Sequence, residues 1–304
     1  MHCIFCANEF LFRGLPFAGP FPFGHEAVAE VVEVGAEVQI VRPGMRVVVP
    51  FQISCGACAF CTRSLTASCI AVPRGSMYGL GDLGGKSWGG LISDLTRVPF
   101  ADHMLVPVPE AVDPVAIASA DNLPDGYRAV APQLAARPGA RVLVMGGVAA
   151  SVGLYAAATA VVLGASGVDY VDHDEARLEL ARAIGATAIH TRAFHPRERY
   201  PITVDASGNP KLLDLALRKT EPGGTCTSVA IYFSRTTPMP LLAMYTSGIT
   251  FRTARVSARA ELPAVLDLVQ KGRLLPQRLT SRVSPLAEAP DALLDRGVKV
   301  VLTA

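Results

Sequence analysis

An α/β fold is expected for this chain: a small antiparallel barrel followed by a doubly wound parallel sheet. Three observations point to it. Short strands separated by turn signals fill the first third, strands alternate with helices from Asn122 onward, and one strand runs straight into a glycine turn and a helix. In the first third, residues 27–34 alternate small or apolar side chains with acids until Gly35 turns the chain. Arg46 to Pro50 is a second strand, ended by proline, and Val106 to Pro109 closes the region. Arg141–Met145 then reads as a buried strand, Ser151–Leu163 as an alanine-rich helix and Val168–Val171 as a strand. A helix over Glu175–Ile184 stops at Gly185, and Thr187–His190, Ile202–Asp205, Lys211–Leu217 and Cys226–Ile231 continue the alternation. The tail, with helical segments at Leu262–Val269 and Ala287–Leu294 and a strand at Lys299–Leu302, is expected to return to the first domain.

At 304 residues the chain can build two ordinary domains, each with its own core. Half of its residues are apolar and 18% are charged, which excludes the intrinsically disordered class. A net charge of +2 is too small to imply a nucleic-acid partner. The run Val142 to Val168 carries no charge, but Gly146, Gly147, Gly153, Gly164 and Gly167 punctuate it. A buried strand–turn–helix is therefore expected there rather than a membrane span. With no secretory signal at the N-terminus, a cytoplasmic protein is expected.

Four of the seven cysteines, Cys55, Cys58, Cys61 and Cys69, fall in a C-x2-C-x2-C-x7-C pattern on one loop. Four thiolates in so short a segment can close a tetrahedron around Zn²⁺ with no open position, a structural site. The alternative is two small disulfides, which needs an oxidising compartment. Cys226 lies in an apolar strand and reads as a core thiol.

The segment 141–153 has the context of a dinucleotide fingerprint, in which helix N-terminal N–H groups meet a pyrophosphate and missing Cβ atoms let it approach. Gly147, Ala150, Val152 and Gly153 are the candidate positions. With Gly153 as the third glycine, the first two places hold Val148 and Ala150, and the Gly146–Gly147 pair relieves the turn. Asp172, nineteen residues beyond Gly153, is placed to accept the ribose hydroxyls of NAD and to repel a 2′-phosphate. The competing reading is a solvated acid in a turn with Asp174 and Glu175. Arg177, close by, bears on the choice between NAD and NADP.

From Cys3 to the C-terminus these features resemble the medium-chain dehydrogenase/reductase family, zinc-containing alcohol dehydrogenase type. Gly24-His25-Glu26, Pro43-Gly44-x-Arg46-Val47, the four-cysteine lobe, Gly126-Tyr127, Val204 to Gly208 and Pro222-Gly223-Gly224 carry the resemblance. Tyr78 to Gly81, Arg97 to Asp102 and Ala120 to Tyr127 are most similar to the branch of glutathione-independent formaldehyde, sorbitol and threonine dehydrogenases.

The resemblance implies a GroES-like catalytic domain over residues 1–122, short at its N-terminus by the family's usual first strands. It also implies a Rossmann NAD-binding domain over 123–257 and a return to the catalytic domain over 258–304. It further implies a catalytic zinc on Cys6, His25 and Asp121, with Glu26 approaching the metal and NAD rather than NADP as cofactor. A homodimer would form through the Rossmann domain, with the strand-like segment Ile249–Val256 serving the contact.

Several positions depart from the family pattern. The C-x-x-D-x-H motif reads Cys6-x-x-Glu9-x-Leu11, with Glu9 standing in for the motif's aspartate. The hydroxyl of the proton relay is Asn8, which hydrogen-bonds but cannot relay a proton. The threonine beside the nicotinamide is Asp125, a carboxylate near the cofactor ring. The expected chemistry is hydride transfer between a small alcohol, or its carbonyl, and NAD. The alternatives are an NAD(P)H-dependent reductase or cyclase without catalytic zinc, and a non-redox protein that keeps the fold.

Overall fold

The computed structural model describes residues 4–7 (backbone only), 21–80, 87–194, 197–295 and 297–304. Twelve strands are described: β1 (Ile4–Ala7), β2 (Glu26–Glu30), β3 (Arg46–Val49), β4 (Val106–Pro107), β5 (Val142–Met145), β6 (Val168–Asp172), β7 (Thr187–His190), β8 (Tyr200–Asp205), β9 (Thr220–Ser228), β10 (Thr250–Thr253), β11 (Arg282–Pro285) and β12 (Val300–Thr303). The longer helices are α1 (Asn122–Ala136), α2 (Ala150–Val162), α3 (Glu175–Ala183), α4 (Pro210–Lys219), α5 (Leu241–Ser247) and α6 (Ala258–Gln270). The chain divides into two units, one of Met1–Pro124 with Val256–Ala304 and one of Asp125–Arg255.

The first unit holds a six-stranded sheet in the order β11-β12-β1-β2-β3-β4. All neighbours are antiparallel except β11 and β12. Strand β1 lies centrally, and its Cys6 sits in register with Glu26 of β2 on one side and Val301 of β12 on the other. Valines supply the sheet's inner face, as β-branched side chains suit a pleated, packed surface. Val47, Val49, Val300 and Leu302 pack with Ile53, Tyr78, Leu91 and Met104 into one core. The alternation over residues 27–34 suggested a longer strand, but β2 ends at Glu30, beyond which the Val31 amide donates to the Met45 carbonyl at 2.9 Å and the Gly44 amide to the Val31 carbonyl at 2.8 Å, leading into the turn. Strand β11 had no clear sequence signal, since RVSP is short and ends in proline. It forms because β12 offers it a parallel edge.

The second unit is an all-parallel sheet in the order β10-β9-β8-β5-β6-β7. That is the doubly wound order, with the chain reversing direction across the sheet between β7 and β8. Strands β5 and β6 are buried along their whole length; β5 reads as a continuous apolar run, whereas β6 carries the buried acids Asp169 and Asp172 among its apolar residues. Leu143, Met145, Val171, Leu213, Leu217 and Cys226 form the core on one side. Cys226 is fully buried, and burial pushes its thiol up to about 12, so it is a core thiol. Among the described residues no helix is long and apolar enough to cross a membrane, and the uncharged run after Arg141 is strand β5, a turn and helix α2.

Helices α1 and α2 meet at Gly126, where a Cβ would come within 2.7 Å of the Ala156 amide nitrogen and the Tyr155 Cβ. Gly126→Ala therefore sets a gain in helix propensity of about 1 kcal/mol against overpacking of about 1–3 kcal/mol. The contact is to main chain, which cannot swing aside, so overpacking wins. Chemical denaturation should show a net loss of stability for this variant. A gain would mean that the two helices separate at little cost.

Candidate active site and metal centre

The four-cysteine loop is shaped by its own backbone. Gly56 takes φ +79° and Ser64 φ +63°, and short helical turns span Cys61–Arg63 and Thr66–Ser68. The Cys58 amide donates to Cys55 Sγ at 3.3 Å, and Thr62 N–H closes on the Cys58 carbonyl at 3.0 Å. The four Sγ atoms lie within 4.8 Å of one another, and all four are free thiols. A tetrahedral zinc–thiolate site with bonds of about 2.3 Å needs sulfurs about 3.8 Å apart, and Cys58 and Cys69 stand at 4.0 Å. The donor set therefore fits a structural Zn²⁺. Main-chain N–H groups of Ile70 and Cys61 draw the Cys58 thiol down to about 6, while burial pushes Cys61 up to about 12. A cation at the centre would bring the buried thiol to the same ionised state as its neighbours.

The second cluster begins at Gly24, whose φ of +87° bends the chain immediately before β2. A Cβ there would crowd the Ile92 amide nitrogen at 2.8 Å, so glycine is required by conformation and by space. The bend delivers His25 to a nearly buried position, edge-on to Phe51 with ring centroids 5.4 Å apart. His25 Nε2 lies 3.2 Å from Asp121 Oδ2, across 96 residues of sequence. Asp121 stands just before helix α1, a position that suggests a helix cap, but its carboxylate faces the histidine.

Glu26 takes the capping role instead. Its Oε1 accepts from the Asp121 and Asn122 amides, each at 3.0 Å, and from the Ser119 hydroxyl at 3.2 Å. Those amides are the unsatisfied donors of a helix start, where a negative charge is favoured. Glu26 Oε2 is ion-paired with Lys299 Nζ, and both side chains are fully buried. Burial alone would raise the Glu26 carboxyl, but Lys299, His25 and the hydrogen bonds outweigh it and hold it below the usual carboxylate range. The sequence reading had this carboxylate approaching a metal. In this structure both oxygens are engaged by protein donors.

Cys6 reaches this cluster through the backbone, since its register partner on β2 is Glu26 itself. Its side chain, with Asn8 and Glu9, lies outside the described residues. Among the described residues, His25 and Asp121 form a nitrogen–oxygen pair at the separation a shared zinc requires. That donor set fits a catalytic metal.

In the second unit, β5 runs into Gly146 and Gly147. A Cβ on Gly146 would strike the Asp172 carboxylate and lie 2.5 Å from the Tyr170 hydroxyl, and one on Gly147 would lie 2.6 Å from the Ser207 carbonyl. These glycines, rather than the fingerprint's first two places, give the turn its closeness. Val148 is accommodated because it packs over Gly208, which has φ +61° and no side chain of its own. Gly153 is buried with Ala206 as the neighbour a Cβ would meet at 2.9 Å, the helix-to-strand packing role of a third glycine. Ala150 opens helix α2, and Val152 follows in the same first turn; no side chain caps this N-terminus and no acid sits in its first turn. Its positive end is the place for an anion.

Asp172 is fully buried and saturated. Arg177 Nε and Nη2 reach its two oxygens at 2.9 and 2.6 Å, the His173 and Asp174 amides donate at 2.7 and 3.1 Å, and the Tyr170 hydroxyl adds a bond of 3.1 Å. Burial opposes its ionisation, and the Arg177 fork overcomes that, keeping the carboxyl below its usual range. Asp172, expected at the ribose, is one half of a neutralised pair with Arg177. Arg177 keeps part of its side chain exposed. Asp125, expected beside a cofactor ring, is ion-paired with Arg128 at 2.5 Å, and Arg128 also holds the Ala254 carbonyl at 2.6 Å.

Sequence reasoning missed Lys299, which looks like any lysine before an apolar strand. It also missed the buried Asp205, whose carboxylate accepts from the Ser207, Ser228 and Tyr232 hydroxyls at 2.5–2.9 Å.

Comparison with known proteins agrees with this geometry. Residues 3–110 match the alcohol dehydrogenase GroES-like domain, and residues 151–271 match the zinc-binding dehydrogenase domain. A probable zinc-binding alcohol dehydrogenase of Mycobacterium tuberculosis is 33% identical over 281 residues, which cover 90% of this chain and 71% of that protein. A glutathione-independent formaldehyde dehydrogenase of Bacillus subtilis is 36% identical over 177 residues, covering 56% of this chain and 42% of that protein. The solved structure of the alcohol dehydrogenase TADH from Thermus sp. ATN1 superposes with a TM-score of 0.88 at 33% identity, covering 99% of this chain and 92% of that one. The chain therefore belongs to the medium-chain dehydrogenase/reductase family of zinc-containing, alcohol dehydrogenase-type oxidoreductases.

Proposed function

We propose that the protein transfers hydride between a small alcohol, or its carbonyl, and a nicotinamide dinucleotide. The observation that carries this reading is the His25–Asp121 pair, a buried histidine and a half-buried aspartate from distant segments held 3.2 Å apart with Glu26 behind them. Cys6, His25 and Asp121 would hold the catalytic zinc. When bound, the metal supplies Lewis acidity that polarises the substrate oxygen and lowers the alcohol's pKa. The protein's own work is positional: Phe51 limits the tilt of the His25 ring, and Glu26 fixes the backbone at Asp121. Asn8, at the place of the family's relay hydroxyl in the sequence, would not itself pass a proton on. The positive end of α2, where no side chain caps the helix, would take the pyrophosphate, and Arg177 with Asp172 would meet the adenosine ribose.

The second metal would be structural, on Cys55, Cys58, Cys61 and Cys69. Four free thiols in one loop favour the reducing cytoplasm as the working compartment. A homodimer through the second unit is supported by strand β10 at the sheet edge and by Leu241, Leu242 and Tyr245 exposed on α5. Sedimentation at twice the 32.0 kDa chain mass would bear this out.

Metal analysis of the purified protein should find two zinc ions per chain. Cys61→Ser should lose one ion and lower the melting temperature. His25→Ala should lose the other and reduce turnover on a panel of small alcohols about a thousandfold, some 4 kcal/mol in the barrier. Full turnover in His25→Ala would sink the reading.

Neutralisation of Asp172 leaves Arg177 as the group that decides tolerance of a 2′-phosphate. Arg177→Ala exposes an uncompensated carboxylate, so NADP affinity should fall about tenfold more than NAD affinity, a difference of about 1.4 kcal/mol. Fluorescence titration with both reduced cofactors measures it. Equal losses would place the 2′ position away from this pair.

A further inference from the structure

We propose that the second unit carries a binding pit for a small oxyanion that bears a proton, hydrogen phosphate being the simplest, at the end of its sheet opposite the glycine turn. Such a site lies wholly within the second unit, and neither the hydride-transfer chemistry nor the family matches assign it.

The pit follows from strand register. Ile202 of β8, Thr225 of β9 and Thr250 of β10 lie side by side, and two residues on Val204, Thr227 and Arg252 form the next row. Neighbours in register share a face of the sheet, and so do residues two apart along a strand. Thr227 faces α1, because Gln133 Nε2 of that helix meets its hydroxyl at 3.4 Å. Thr225, Ile202 and Arg252 therefore face the same way. Between them and the end of α1, at Gln133 and Arg137, lies a cavity of about 110 Å³. That is room for an ion of phosphate size and far too little for a dinucleotide. The row of Ile202 aligns with Val142, three residues or about 10 Å before the row of Met145 and Asp205 where the glycine turn begins.

Three side chains give the pit its chemistry. Arg137 is held from outside, Nη1 on Glu221 at 2.7 Å and Nη2 on the Gly223 carbonyl at 2.9 Å. Glu221 balances that charge. Arg252 is exposed and pairs with no carboxylate among the described residues, so it is the cation that draws an anion in. Gln133 is 7% exposed, and its Oε1 finds no donor among the described residues. A buried acceptor left unpaired is costly, and the long bond from Nε2 to Thr227 returns little. A ligand that completes this set brings negative oxygens to Arg252 and the Thr225 hydroxyl, and one O–H to Gln133. Hydrogen phosphate does both. Sulfate has the same shape but no proton at neutral pH, and would set a bare oxygen against the Gln133 carbonyl.

The test uses the full-length protein saturated with reduced cofactor, so that the positive end of α2 is filled. Calorimetry and melting temperature at fixed ionic strength then report binding of inorganic phosphate and of sulfate. Phosphate should bind about tenfold more tightly than sulfate, and Arg252→Ala should weaken it about tenfold. Arg278→Ala, which removes an exposed arginine of the first unit, should leave phosphate binding unchanged. Gln133→Leu should bring phosphate down to the level of sulfate. Should Gln133→Leu not fold, the phosphate-to-sulfate ratio and the Arg252 comparison decide the matter without it. Bound phosphate should also slow amide exchange over residues 132–137 and 250–253.

Equal affinities for the two anions overturn the site, as does an Arg252→Ala protein that binds phosphate like the unaltered chain. A protein that took up no cofactor would count against the hydride-transfer reading alone, and the Arg252 comparison would still decide this one.

Discussion

The structure of the first unit depends on one buried charge, Glu26. A carboxylate with no exposure to water costs far more to bury than any single apolar contact returns, so the chain around it must converge to satisfy it. Strand β2 supplies the acid, the segment before β12 supplies Lys299, and the start of α1 supplies two amides. Elements from both ends of the sequence are thereby required to meet at one point. Breaking such a pair by removing one partner costs about 3–5 kcal/mol, because the survivor is left dry and uncompensated. That approaches the lower end of the net stability of a whole domain, about 5–15 kcal/mol. The same point sits behind His25 and Asp121, so the stability of the unit and the geometry of the site share one interaction.

The second unit repeats the logic with a different pair. Asp172 is buried under the glycine turn, where a side chain on Gly146 would strike it. Arg177 compensates its charge with a two-pronged contact, and Tyr170 and two main-chain amides fill the remaining acceptor sites. Tight packing of the turn and neutralisation of the acid are thus coupled, and the glycine pair is what makes the acid's position possible. The absence of the usual glycine at Val148 is resolved across the turn, by Gly208 giving up the space.

Much of this was legible in the residues. The parallel sheet followed from the spacing of strands and helices, and the metal loop followed from four cysteines in one short pattern. The turn at Gly146–Gly147 and the packing role of Gly153 were also readable. Strand β11 and helix α5 were not, because one depends on an edge offered by β12 and the other is a short amphipathic turn. At the candidate site, the motif pointed to His25 and Asp121, which stand 3.2 Å apart, but not to the state of their neighbours. Glu26 and Asp172 both read as open acids. Each proved to be spent on a cation and on main-chain donors.

The division has a physical origin. The sequence by itself determined what is local: periodicity, the strand–turn–helix of the cofactor turn and the cysteine loop, where all the information lies within some twenty residues of chain. Only the tertiary structure decided which acid keeps a free face, because that depends on which cation is buried beside it. For Glu26 the cation arrives from 273 residues away, and no local pattern marks Lys299 as its partner. For Asp172 the partner is five residues on, yet the pairing still depended on the dry pocket beneath the turn, which makes a buried acid take its nearest cation.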